Sequence, residues 1–283
     1  MKHLPLNLIR ELGVSAASGL VYYQQKIYVI ADDELSLWVY PEEGRGEAEI
    51  YPLRPGTLPE KKKERKKVKP DYESLVRHKS MLLAIPSGSK PNRHQAMAIH
   101  LGKAGHIESV KAFSLEKTFS HFSQTFSQLN IEGAVILQDN IYLFQRGNGS
   151  LGENGIISMP LANFLDDRPE KINCKLVDLG VHDGINLSFS DACLGEESLV
   201  YFLAVAEASE STYEDGAVTG CMMGQIDVIS GEIAFKKALD SKSKPEGLDF
   251  NPDKKNFYLV TDDDDRSLSA KLYSISGAVA SGS

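Results

Sequence analysis

Apolar residues recur along this chain in short runs, separated by polar turns at a nearly constant distance. Five segments share a small or acidic residue, a second residue that is small or acidic, and then an apolar run. They are Ser18-Gly19-Leu20, Glu73-Ser74-Leu75, Glu132-Gly133-Ala134, Ser190-Asp191-Ala192 and Glu246-Gly247-Leu248, spaced 55, 59, 58 and 56 residues apart. A stronger apolar run follows each of them after a polar turn, at residues 26–30, 81–85, 140–144, 199–203 and 257–260. These runs are rich in β-branched and aromatic residues and too short for helices, so they predict strands. Two further alternating segments complete a unit: residues 37–40 and 48–51 in the first, 95–101 and 109–114 in the second, 221–226 and 233–239 in the fourth.

Four strands per unit of roughly 57 residues is the pattern of a propeller blade. Five units fill the 283 residues, which predicts an all-β chain, a five-bladed β-propeller of four-stranded antiparallel blades forming one domain over residues 1–283. The last unit supplies three strands, ending at residues 271–275, so its fourth is expected from residues 4–8. That exchange closes the ring and removes exposed sheet edges. Two stretches interrupt the pattern. Phe119, Phe122, Phe126 and Leu129 fall on one face at helical spacing and predict a short helix packed on the ring. Residues 60–69, nearly all Lys and Glu, predict a solvated loop tip, flexible rather than functional.

Antiparallel pairing brings the start of each first strand and the end of each second strand to the same mouth of the central channel. Ser18, Glu73, Glu132, Ser190 with Asp191, and Glu246 stand at the first place; Asp32, Ser87, Arg146, Glu207 and Asp262 at the second. Carboxylates crowded on one mouth repel one another unless they are protonated, paired or bound to metal. A hard cation is the simplest resolution, and calcium takes six to eight oxygen ligands in flexible geometry. Glu73, Glu132, Glu246, Asp32 and Asp262 are therefore the candidate metal ligands. The glycines beside the glutamates have a plainer explanation, since they let first strands approach a crowded axis. Arg146, Glu207, Asp191, Arg93 and His94 are the candidates for substrate binding, with Lys69, Lys244 and His182-Asp183 on the same face. In the run Asp262 to Asp265, the last two acids are expected to form a solvated turn.

Composition narrows the partners. A net charge of −8 disfavours nucleic acid, and the 42% hydrophobic and 25% charged content is that of an ordinary globular chain. No apolar stretch approaches a membrane span, and Pro5, Asn7 and Arg10 interrupt the N-terminal segment. Cys174, Cys193 and Cys221 form no CxxC pair and are expected to be buried free thiols of a reducing compartment, so a cytoplasmic location is expected. The chain is also expected to be a monomer. There is no GxSxG elbow, Walker loop or HExxH motif.

Lys244-Pro245-Glu246-Gly247-Leu248 leading to residues 258–263, and Asn130-Ile131-Glu132-Gly133-Ala134 leading to residues 142–148, resemble segments of uncharacterised bacterial propellers. They are similar to the esterase-like phytase family and, more distantly, to calcium-dependent apyrases. The resemblance covers about a third of the chain and touches Glu132, Arg146, Glu246 and Asp262. It implies a calcium-centred site and hydrolysis of phosphoesters or phosphoanhydrides. Ser18 and Ser190-Asp191 stand where a glutamate would complete the pattern. Three functions remain open: a metal-dependent hydrolase of a small anionic ester, a non-catalytic ligand-binding or scaffolding propeller with a structural calcium ion, and a glycosidase using paired carboxylates.

Overall fold

The structure is a computed structural model that describes residues 3–44, 46–147, 153–208, 217–241, 243–263 and 265–277. It is a five-bladed propeller. Blade one holds β2 (Ala17–Tyr23), β3 (Lys26–Ala31), β4 (Ser36–Pro41) and β5 (Glu49–Pro52), preceded in the chain by β1 (Asn7–Glu11). Blade two holds β6 (Tyr72–His78), β7 (Met81–Pro86), β8 (Gln95–Leu101) and β9 (Ile107–Ser114); blade three, β10 (Ile131–Leu137), β11 (Asn140–Gln145), β12 (Gly155–Pro160) and β13 (Asn173–Leu176). The two-residue β14 (Val181–His182) adds a fifth strand to blade four, beside β15 (Ile185–Leu194), β16 (Val200–Ala208), β17 (Ala217–Ile226) and β18 (Ile233–Ala238). Blade five is β19 (Lys244–Asn251), β20 (Asn256–Asp262) and β21 (Lys271–Ser276), completed by antiparallel β1.

The closing strand lies three residues later than residues 4–8. Leu4, 1% exposed, is buried instead in the core between blades four and five, where it bridges Leu239 of blade four. Alternating leucines at 4, 6 and 8 resemble a strand in sequence, but only the last of them pairs with β21.

Second strands are apolar without alternation because both of their faces are buried. In β3, Ile27, Val29 and Ala31 join the core shared with blade five, whereas Tyr28 and Ile30 join the core shared with blade two. Each remaining pair of adjacent blades encloses its own apolar cluster. The expected helix is α2 (Glu116–Phe122), and Phe119, Phe122, Phe126 and Leu129 are all buried between blades two and three. Burial of each phenylalanine contributes about 1.5–3 kcal/mol.

Residues 60–69 are not a loose tip. They contain α1 (Lys62–Val68), whose Arg65 donates to the carbonyls of Pro59 at 2.8 Å and Asp33 at 2.7 Å. Of the thiols, Cys193 and Cys221 are buried, but Cys174 is exposed because it lies on the edge strand β13. No helix among the described residues is long and apolar enough to cross a membrane.

Candidate functional site

The repeated anchors owe their positions to a backbone irregularity. The first strand of every blade breaks register with the second at one residue: Ser18, Glu73, Glu132, Ser190 and Glu246. A β-bulge leaves one residue out of the ladder and re-aims its side chain. The two bulge serines bond to the next blade, Ser18 Oγ to the Tyr72 carbonyl at 2.5 Å and Ser190 Oγ to the Pro245 carbonyl at 2.7 Å. Charge at this position therefore comes from blades two, three and five. At the following position a Cβ on Gly133 would sit 2.8 Å from the Ala192 nitrogen, so close strand approach requires glycine there. Asp191 occupies the same position in blade four and accepts the Leu248 N–H at 2.6 Å, which ties it to blade five main chain.

Blades three, four and five carry an alternating chain of charge. Arg146, at the end of β11, donates to Glu132 Oε1 at 3.2 Å and to Glu207 Oε2 at 2.6 Å. Lys244 Nζ lies 3.2 Å from Glu207 Oε1 and pairs with Glu246 Oε1. Asn130 donates to Glu132 Oε1 at 2.5 Å. Glu246 Oε2, at the end of the chain, is buried without a hydrogen-bond partner.

Blades one and two repeat the alternation. Lys69 joins Asp32 to Asp71, the latter at 2.9 Å. Arg93 Nη1 lies 2.6 Å from Asp71 Oδ2, which also accepts from Ser87 Oγ at 2.5 Å. Here the third acid is left over. Among the described residues, Glu73 makes no hydrogen bond or ion pair, although a carboxylate oxygen of each of Asp32, Asp71 and Glu73 lies within 4.8 Å of the other two.

Electrostatics follow from this arrangement. Burial, reinforced by Asp71, Glu132 and Asp32, pushes the Glu73 carboxyl well above its ordinary value, with only Lys69 opposing. Burial likewise raises Glu246 despite Lys244, and Glu132 despite Arg146. Burial pushes Asp32 up to about 6, with Lys69 opposing. Glu207 behaves differently: burial pushes it up, but Lys244 and Arg146 outweigh that and hold it below its ordinary value. Burial works against the charged form of Lys69, yet Asp32 and Asp71 keep it firmly protonated. Six carboxyl groups thus face four cationic side chains, three and two in each half of the mouth.

The remaining expected site residues have these surroundings. Asp262 ends β20 opposite Lys244 and bridges Ala16 at the seam between blades five and one. His94 stacks edge-on to Phe119, with ring centroids 5.6 Å apart, and so faces α2. His182 lies 3.8 Å from its neighbour Asp183. Asp265 accepts the Ser267 N–H at 2.9 Å, as a turn residue does, and Asp264 is outside the described residues. Asp71 was missed by the anchor pattern; its signal is the Asp71-Tyr72-Glu73 run, which puts a second acid immediately before the strand that carries Glu73.

Residues 13–276 match one family, described as a family of unknown function, DUF6929. The chain belongs to that family. No curated protein matches it. Among solved structures it is similar to Myxococcus xanthus glutaminyl cyclase, at 11% identity and TM-score 0.56, with 97% of each chain covered. It is also similar to the RRP9 WD40 repeats, at 9% identity and TM-score 0.46, with 97% of this chain and 99% of that chain covered. At such identities the likeness shows a propeller fold alone. The comparisons give no specific match to the phytase-like or apyrase families, and the likeness to the cyclase supports a propeller fold alone.

The donor set suits a divalent cation. Carboxylate oxygens are hard ligands, oxygens of Asp32, Asp71 and Glu73 lie within 4.8 Å of one another, and Glu73 has no hydrogen bond or ion pair among the described residues. Lys69 is the competitor, because its ammonium already sits on two of the three clustered acids.

Proposed function

We propose that this protein is a divalent-cation-binding propeller whose ion is held by Asp32, Asp71 and Glu73, with calcium as the ion best suited to such ligands. The observation that carries this is Glu73, a crowded carboxylate with three acidic neighbours and no cation of its own. A bound ion would satisfy it. Calorimetric titration of calcium into wild type and Glu73→Gln tests the assignment. Saturable binding in wild type, weakened about tenfold or more in the variant, is expected. No binding in wild type, or equal binding in both, overturns it.

A second reading, hydrolysis of a small phosphate or other anionic ester, rests on Glu246. Burial favours its neutral form, so a proton held at the partnerless Oε2 is available to a leaving oxygen. A divalent ion at the mouth would polarise the phosphoryl or acyl oxygen of such an ester. Arg146 would not be the anion clamp in this reading, because Glu132 and Glu207 already bracket it. Turnover of p-nitrophenyl phosphate and p-nitrophenyl acetate, with and without calcium, tests it. Turnover lost in Glu246→Gln supports the hydrolase; no turnover of either compound leaves a non-catalytic binding protein.

A further inference from the structure

Both carboxylate oxygens of Asp71 are already in use. Oδ1 lies 2.9 Å from Lys69 Nζ, while Oδ2 accepts from Ser87 Oγ and lies 2.6 Å from Arg93 Nη1. Lys69 Nζ also holds Asp32 Oδ2, so one ammonium sits on two of the three acids assigned to the cation. An ammonium and a divalent ion cannot share those oxygens, because calcium needs them at about 2.3–2.6 Å and the two cations repel each other at that range.

Lys69 is also the residue that ends α1. Its N–H donates to the Arg65 carbonyl at 2.8 Å and closes the last turn of the helix. The two halves of this short helix are rooted differently. Arg65 reaches Asp33 at 3.5 Å and the carbonyls of Asp33 and Pro59, and Asp33 is not among the cation ligands. The last residues are held from blade two: Arg93 Nη2 donates to the Lys66 carbonyl at 3.2 Å, and Asn92 Nδ2 to the carbonyls of Lys67 at 3.3 Å and Lys69 at 3.4 Å. Arg93 is itself held by Asp71 and by Ser89 Oγ at 2.6 Å. Lys69 and Arg93 thus both tie residues 66–69 to Asp71. Apolar burial does not add to these ties, since α1 buries none of its residues and Val68 is 52% exposed.

We propose that residues 66–69 form a strap that Lys69 latches to the mouth, and that a divalent ion entering Asp32, Asp71 and Glu73 releases it by displacing the ammonium. This rests on the cation reading given above and adds its regulation. In the ion-free protein Lys69 serves as the internal cation of the site. When the ion takes its place, the ammonium turns to solvent, the last turn of α1 loses that tie, and the segment pivots on Arg65. Occupancy of the mouth is thereby read out as a loosened strap on the surface.

Amide hydrogen exchange followed by NMR tests this. The amide at position 69 reports the latch, and the Arg65 amide, which donates to the Lys61 carbonyl at 2.9 Å, reports the half rooted on Asp33. Saturating calcium should speed exchange at position 69 by about tenfold or more, the loss of one charged contact, and leave Arg65 within about twofold. Lys69→Met without any ion should show the fast rate already, and calcium should add nothing to it. Unchanged exchange in β7 establishes that blade two stays folded in the variant. Ion-free Lys69→Met exchanging at the wild-type rate overturns the latch, whatever calcium does. Calorimetry on the same samples separates the other failures. Calcium that binds wild type without speeding exchange at position 69 overturns the release and leaves the cation site standing; no calcium binding overturns the cation site and the ion-driven release with it.

Discussion

The two halves of the mouth contain the same charges, three acids and two bases each, and use them differently. In blades three to five the charges alternate as Glu132, Arg146, Glu207, Lys244 and Glu246, and every acid touches a cation. In blades one and two Lys69 and Arg93 both converge on Asp71, so Glu73 is left without either. One half is a continuous network across three blades, open only at Glu246 Oε2; the other leaves a whole carboxylate, Glu73, outside its pairs. The count of charges does not determine the difference. It depends on where each cation is rooted, since Lys244 and Arg146 each reach two acids on different blades, whereas Arg93 reaches one.

The largest test of this contrast is Arg146→Met. It leaves Glu132 and Glu207 buried without their shared cation and should cost about 3–5 kcal/mol in urea unfolding. A loss below about 1 kcal/mol would mean that the network is no more structural than a surface pair. A smaller and opposite effect is expected in the other half. Lys69→Met removes the ammonium that competes for Asp32 and Asp71, so calcium affinity should rise, by roughly tenfold; weaker calcium binding would show that Lys69 organises the site instead of blocking it. The gentlest probe is pH. Glu73 is raised above its ordinary value, so its contribution to metal-free stability is complete below the ordinary carboxylate range and is lost as pH climbs through its folded value. Glu207 is lowered, so its contribution is present above that range and is lost as pH falls through its folded value. Unfolding curves from acid to neutral pH should therefore lose their high-pH decline in Glu73→Gln and part of their low-pH decline in Glu207→Gln. The reverse assignment would invert the roles of the halves.

What could be read from the sequence follows the same division. Blade number and the bulge glutamates were legible because one local event, an extra residue in each first strand, recurs every 55 to 59 residues with the same chemistry. The same register placed Arg146 beside Glu132 and Glu207, but it left open whether Arg146 balances those acids or meets an anion, because Glu207 lies 61 residues away and nothing local marks the bond. Asp71 escaped because it adopts φ +60°, outside the strand pattern that singled out Glu73. Residues 60–69 looked mobile because their pattern is entirely polar; the anchors Asp33, Asn92 and Arg93 lie in other segments. Asp191 was legible as an inward residue, but its bond to the Leu248 N–H depends on how closely two first strands approach.

The seam where β1 pairs with β21 also governs when the ring can form. During synthesis β1 emerges before the other strands of this ring, yet its partners lie 260 or more residues later. Until then blade five has three strands, and Leu4 cannot settle between blades four and five. Such long-range closure slows folding and leaves an open edge exposed to other chains. Molecules stalled at this step would carry four finished blades and one adhesive flank, so the seam is where chaperones or self-association would compete with native closure.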